Sequence, residues 1–283
     1  MLAAFCFSLM TVIVKLTGEH LHVTQILMMR QVGLIILVAP TLISNFPDSL
    51  KSSRIDLQLT RVAFALVAML GGFVAVINLP LADATAIGFS KSFFITIFAV
   101  LILHEVVGVY RWGAVVIGFV GVLLMLRPGT NDFSIYGVYA VIGAGAAAIV
   151  MIIIRLLTRT DQPNTIITYQ ALGIGLAMLG PGLYFWKSPT LLEWLLLGAL
   201  GIVSYFSQKF NIYAYKWGEA SMLASLDYVR LIYATLFGYL IFNSFPGVNT
   251  WVGAGLIVSA AIYTVYRESR RKKNLVTADI ALE

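Results

Sequence analysis

The chain is divided, almost end to end, into apolar runs of about twenty residues separated by short polar or helix-breaking stretches. An α-helix rises about 1.5 Å per residue, so ~20 apolar residues match the ~30 Å hydrocarbon core of a bilayer. Ten such runs are legible, at about 1–17, 23–44, 61–80, 84–103, 111–126, 136–157, 165–186, 191–214, 219–242 and 250–266. Each break has a physical cause: Pro47-Asp48 and the charges from Lys51 to Arg61, then Arg127-Pro128-Gly129, Asp161-Gln162-Pro163, Lys187-Ser188-Pro189 and Pro246-Gly247. With 60% hydrophobic and 11% charged residues the composition excludes an ordinary soluble domain. In lipid every backbone N–H and C=O must be satisfied within the protein, which helices do internally. The expected fold class is therefore an all-α membrane protein of ten transmembrane helices. The opening MLAAFCFSLMTVIVKL lacks a basic n-region and is read as the first membrane helix, not a signal peptide. With Cys6 alone, no internal disulfide is possible.

Orientation follows from the cations. Placing the amino terminus inside puts thirteen Lys and Arg residues, Arg61 among them, on the inner side and only Lys15, Arg127 and Lys187 on the outer side. Both termini are expected in the cytoplasm, with the chain in the cell inner (plasma) membrane. The net charge of +6 is then an orientation signal, with residues 267–283 a basic tail beside the lipid bilayer, and no nucleic-acid partner is expected. No loop is long enough to fold as a domain, so whatever chemistry exists belongs to the helix bundle.

The two halves resemble each other. TQILMMRQVGLIILVAP from Thr24 aligns with NTIITYQALGIGLAMLGP from Asn164, setting Arg30 on Gln170 and Gly33 on Gly173 at a shift of 140. Trp112 aligns with Trp251 at a shift of 139, and Ala84 with Ala220 at a shift of 136. Five spans per half is an odd number, so the second half, 131–266, is expected to enter the membrane upside down relative to the first, 1–130. Two inverted five-helix repeats are a device of secondary transporters, which bind substrate where the halves meet and alternate access between the two sides.

Apart from charges near the run ends and those counted for orientation, four form an intramembrane set: Arg30, Lys91, Asp227 and Arg230. A charge at mid-membrane costs at least a few kcal/mol and needs a partner, a wet cavity or a ligand. Asp227 and Arg230 are three apart and share a helix face, so they pair; a fixed ion pair is the first reading of Asp227 and proton carriage the second. By the repeat, Lys91 corresponds to Asp227 or Arg230. The set sums to a surplus of positive charge, which fits a ligand bringing a carboxylate or phosphate, with Arg as a bidentate clamp and Lys as a point charge. Gln170, Asn78 and Tyr228 are the further candidates for substrate binding, beside Tyr169, Tyr205 and Gln208. The aromatic residues read mostly as an interface belt.

Taken together, the ten-span layout, MMRQVG around Arg30, LADATAI opening the fourth run, its exit at His104-Glu105, LLMLRPG closing the fifth and SLDY in the ninth resemble the EamA-type branch of the drug/metabolite transporter superfamily. The resemblance covers essentially the whole chain. It departs at Ser90-Lys91-Ser92, where Ser-Pro is common in the family, so a proline is absent and a charge added. The resemblance implies a carrier for small metabolites, exporting or importing, without naming the solute.

Enzyme-like strings are false leads. His104-Glu105-Val106-Val107 lacks the second zincin histidine, Gly108 standing in its place, and Gly143-Ala144-Gly145 lies within a membrane run where close helix packing explains it. No catalytic residue, metal site or cofactor is expected. The reading is a secondary transporter, monomer or homodimer, for a small anionic or zwitterionic metabolite (organic acid, amino acid derivative or phosphorylated compound) moved by alternating access, its cavity lined by the second, fourth, seventh and ninth spans. The alternative is an integral-membrane enzyme, or a non-transporting sensor, acting on lipid or a membrane-bound partner.

Overall fold

The computed structural model describes residues 2–44, 46, 51–103, 108–129, 133–217 and 229–280. The described residues are helical throughout: α1 Leu2–Thr17, α2 Val23–Ser44, α3 Ile55–Asn78, α4 Leu81–Gly88, α5 Lys91–Leu103, α6 Val109–Leu126, α7 Ile135–Leu157, α8 Pro163–Tyr184, α9 Leu191–Trp217, α10 Val229–Phe242 and α11 Val248–Ile280. Six segments are long and apolar enough to cross a membrane: α2, α3, the Leu81–Phe98 stretch, α7, α8 and Leu191–Ala214 of α9. Leu2–Thr17, Trp112–Leu126, Val229–Phe242 and Val248–Thr264 are shorter apolar helices. Large apolar side chains such as Leu176, Leu179 and Leu183 stand exposed on the outer faces, as lipid-facing residues must. The chain is a multi-pass membrane protein.

Two expectations are corrected. The fourth apolar run is not one helix: it breaks at Phe89-Ser90, where Phe89 N–H bonds Ala86 O at 3.1 Å and Ser90 N–H bonds Ile87 O at 2.9 Å, each reaching back three residues in place of four. The turn tightens even without a proline, behind Gly88, whose helix propensity is poor. The third helix starts at Ile55, six residues before its apolar run, which takes Arg61 out of the loop and into the bundle.

The segments aligned by the repeat pack side by side in opposite directions. Thr24 Oγ1 at the start of α2 donates to Pro181 O near the end of α8 at 3.3 Å. Further along the pair, a Cβ on Gly175 would lie 3.4 Å from Gln31 Cβ. The neighbour pattern survives exchange of the halves: α1 packs on α9 as α7 does on α3, α2 on α9 as α8 on α3, and α10 on α1 as α5 on α7. With lipid as solvent, close backbone approach supplies much of the cohesion. A Cβ on Gly33 of α2 would sit 2.7 Å from Gly201 Cα of α9, and one on Gly173 of α8 2.6 Å from Val62 Cγ1 of α3. The two glycines, aligned in sequence at a shift of 140, each sit at a close helix contact, one against backbone and the other against a valine side chain.

Polar contacts tie the halves together at both ends of the α2–α8 pair. Where α2 begins, Gln25 Nε2 donates to Lys187 O at 2.8 Å and Gln25 Oε1 accepts from Lys187 N at 3.0 Å, while His20 Nδ1 lies 3.0 Å from Glu193 Oε1. Where α8 begins, the buried Asp161 carboxylate accepts from Ser52 Oγ, from Ser53 N at 3.3 Å and from Gln58 Nε2 at 2.8 Å.

Candidate functional site

Helices α1, α2, α3, α4, α5, α7, α8, α9 and α10 enclose a cavity of about 240 Å³. Much of its wall is small residues, Ala65, Ala68 and Gly72 of α3 facing Ala140, Gly143, Ala144 and Ala147 of α7. Small side chains open room that larger ones at the same positions would fill. The aromatic wall is Phe7, Phe73 and Phe89. Its polar wall runs from Thr11 through Thr85 and Gln170 to Ser207, Gln208 and Asn211.

Arg30, Lys91 and Arg230 all reach this cavity, although they lie on three helices far apart in sequence. Arg30 is 3% exposed. Its Nε donates to Ser204 Oγ of α9 at 2.9 Å, its Nη1 approaches Met69 Sδ at 3.4 Å, and its guanidinium carbon lies 5.9 Å from the Phe73 ring centroid. The ion is thus fixed by neutral groups from two neighbouring helices. Arg230 stacks its guanidinium on Phe7, 3.5 Å from the ring centroid, with Phe89 at 5.9 Å. Stacking on an aromatic face holds the guanidinium plane in a fixed orientation. Lys91 opens α5 just after the tightened turn, so the break in the fourth run brings it to the cavity beside Gly88 and Phe89. None of the described residues on the wall is acidic.

Gln170 also lines the cavity and is 2% exposed. Asn78 does not line this cavity: it is exposed at the end of α3, and its amide nitrogen donates to Val74 O, one turn back on its own helix, at 2.8 Å. Asp227 and Tyr228 lie outside the described residues, and with them the pair expected between Asp227 and Arg230.

Arg61 escaped the reading of the sequence, as did the α9 polar stripe apart from Gln208. Arg61 is fully buried, its Nη1 donating to Ile166 O at 2.9 Å and its Nη2 to Gln170 Oε1. It stands at the edge of an apolar run and so passed for a loop cation, yet Gln58, Arg61 and Ala65 recur at helical spacing on the face of α3 that is buried. The polar stripe of α9 was legible too. Ser204, Ser207, Gln208 and Asn211 follow the i, i+3, i+4, i+7 spacing of one helix face in an otherwise apolar segment. The cavity reaches well beyond the second, fourth, seventh and ninth spans, because α3 and α7 approach closely along it, with Gly71 and Gly143 at the contact.

The sequence pattern of the EamA-like transporter family matches residues 1–127 and 135–266. A protein named S-adenosylmethionine uptake transporter of Rickettsia prowazekii is 28% identical over 271 residues, 94% of this chain and 92% of that one. One named riboflavin transporter of Vibrio cholerae is 30% identical over 233 residues, 81% and 78% of the two chains. Another, named pseudopaline exporter, of Pseudomonas aeruginosa, is 28% identical and spans 92% of both. Among solved structures, a crystal structure superimposes with a TM-score of 0.64 at 18% identity, covering 95% of this chain and 98% of that one. That likeness establishes a common fold.

Proposed function

The chain belongs to the EamA-like transporter family, and on that premise we propose that it is a secondary carrier for a small metabolite bearing a carboxylate, phosphate or comparable acceptor group, anionic or zwitterionic overall. One observation carries the reading. The charged side chains that reach the cavity among the described residues, Arg30, Lys91 and Arg230, are all cations brought together from three helices. Three cations gathered on one wall favour a ligand that brings negative charge. Arg230 and Lys91 take the negative group, with Arg30 of α2 as a third contact. A zwitterion also needs a partner for its cationic end; Gln208, Asn211 and Thr11 offer oxygen acceptors on the same wall.

The transport cycle is read as rocking of two inverted five-helix repeats, 1–130 and 131–266. The antiparallel packing of α2 on α8 and the exchange-related neighbours support it. So do the two sets of contacts between the halves: Gln25 with Lys187 and His20 with Glu193 at one end, Asp161 with Ser52, Ser53 and Gln58 at the other. Breaking one set while the other holds would open the cavity to one side only. The cation asymmetry supports an inner-membrane location with both termini, including the basic tail from residue 267, in the cytoplasm.

The test is flux into proteoliposomes. The solutes named for the relatives supply the first probes: S-adenosylmethionine, which carries a carboxylate but is a net cation through its ammonium and sulfonium, and riboflavin, which carries ring acceptors without a net charge. Lys91→Ala, Arg230→Ala and Arg30→Met should each cut uptake of a carboxylate-bearing probe by about tenfold or more, as expected when a charge-assisted contact is removed. Unchanged uptake in all three variants would defeat the proposal.

A further inference from the structure

Gln170 is the repeat counterpart of Arg30, and it is held in a way that settles what its amide can offer. The oxygen of that amide faces Arg61, whose Nη2 donates to Oε1. A guanidinium carries five donors and no acceptor, so the amide cannot turn its NH2 toward Arg61. The NH2 is therefore left on the other side of the group. There it is buried and finds no partner among the described residues, although Gln170 is one of the residues lining the cavity. Buried polar groups are nearly always paired, so an unpaired amide donor on a cavity-lining residue is one that a ligand atom can satisfy when the side chains around it shift to admit it. Arg61 itself does not reach the wall. It is fully buried, its second bond goes to Ile166 O of the same helix α8, and its Nε has no partner. Its effect on the cavity passes through Gln170.

Arg30 shows the same design in the other half. Its orientation is fixed from α9 by Ser204, as that of Gln170 is fixed from α3 by Arg61, across seams that interchange when the halves are exchanged. Both counterpart positions then present donors only.

We infer that Arg61 is a positioning residue that commits Gln170 to act as a hydrogen-bond donor to the transported molecule. The ligand must accordingly bring an acceptor, a carboxylate or phosphate oxygen or a ring carbonyl, to α8 as well as to the cations. This rests on the carrier reading and adds a specificity contact to it. Molecules presenting N–H or ammonium at that point are rejected, since the amide oxygen is already engaged.

The experiment is a thermal-shift titration of the purified full chain in detergent, with acetate and inorganic phosphate as probes. The variants are Gln170→Glu, Arg61→Leu, Gln170→Leu, the double variant Arg61→Leu/Gln170→Leu, and Arg30→Met. Gln170→Glu gives Arg61 a carboxylate and removes the NH2, so its melting point without probe should equal or exceed that of the wild type. Its half-saturating acetate concentration should rise about tenfold. Arg61→Leu should weaken acetate binding too, and should weaken it no further in the Gln170→Leu background. That non-additivity is what a purely architectural role for Arg61 would not produce. If acetate binds Gln170→Glu as it binds the wild type while Arg30→Met binds it less, the anion-carrying reading stands and the donor role of Gln170 falls. If the Arg61 and Gln170 effects add, Arg61 does not act through Gln170. If neither probe stabilises the wild type, the anionic reading itself fails and this inference with it.

Discussion

Replacing Gly33 by Ala tests both the packing of the bundle and its link to the site. A Cβ at this position lies 2.7 Å from Gly201 Cα, where ordinary contact begins at 3.4 Å, and the obstacle is backbone, which cannot swing aside. Helices α2 and α9 must part there by about 0.7 Å, the shortfall between those two distances. Two effects oppose each other. Ala gains ~1 kcal/mol over Gly in intrinsic helix propensity, whereas forcing atoms into a packed seam costs ~1–3 kcal/mol. Gly198, one turn before Gly201 on α9, has open space where its Cβ would stand, so Gly198→Ala collects the propensity gain alone. The two variants should differ by the whole packing cost, roughly 1–3 kcal/mol, or a few degrees in melting temperature for a chain of this size.

The same separation reaches the cavity. Arg30 is one turn before Gly33 and Ser204 one turn after Gly201, so their 2.9 Å bond spans the same seam. Carried through, the displacement stretches it to about 3.6 Å, beyond hydrogen-bonding range. Gly33→Ala should therefore lower both the melting temperature in detergent and the rate of probe uptake in proteoliposomes. A Gly33→Ala protein that melts as high as Gly198→Ala would refute the reasoning.

Lys15, half-buried on α1, donates to Val76 O at 3.2 Å and to Leu79 O, capping the end of α3, so Lys15→Met should cost ~1–2 kcal/mol, read by thermal unfolding. Asp161→Asn replaces a charged acceptor by an amide that cannot accept from all three of its donors, and should destabilise by ~1–3 kcal/mol; proteolysis of the intact protein should then cut between α7 and α8 more readily. Arg30→Met removes a buried cation whose protein partners are neutral, so its melting temperature should hold or rise even as uptake falls, a divergence visible when both are measured on one preparation.

The positions of the helices were legible because lipid imposes a single rule on backbone and side chain alike. An apolar run of fixed length bounded by Pro, Gly or charge becomes a helix, and the described helices follow the runs, except that α3 begins early, the fourth run breaks at Phe89-Ser90 and α11 continues past its run to Ile280. The charges inside the runs stand out for a similar reason, since burial of an ion in hydrocarbon demands an explanation, and Arg30, Lys91 and Arg230 share one cavity. Asn78 lies away from that cavity: an amide near a helix end has a ready acceptor one turn back, and spacing along the chain does not reveal whether it takes it.

Partnership across helices is of another kind. The helical spacing of Gln58, Arg61 and Ala65 hints that Arg61 belongs to a helix face, but what receives it lies in α8, more than a hundred residues away, in the Ile166 carbonyl and the Gln170 amide. Likewise the alanines and glycines of α3 and α7 become a cavity wall only when the two helices face each other. The amino-acid order sets which segments enter the membrane and how much charge they carry in, because those are properties of a segment and its solvent. Which donor meets which acceptor, and where space is left for a solute, depends on atoms that come together only when the helices pack, and that was read from the assembled bundle.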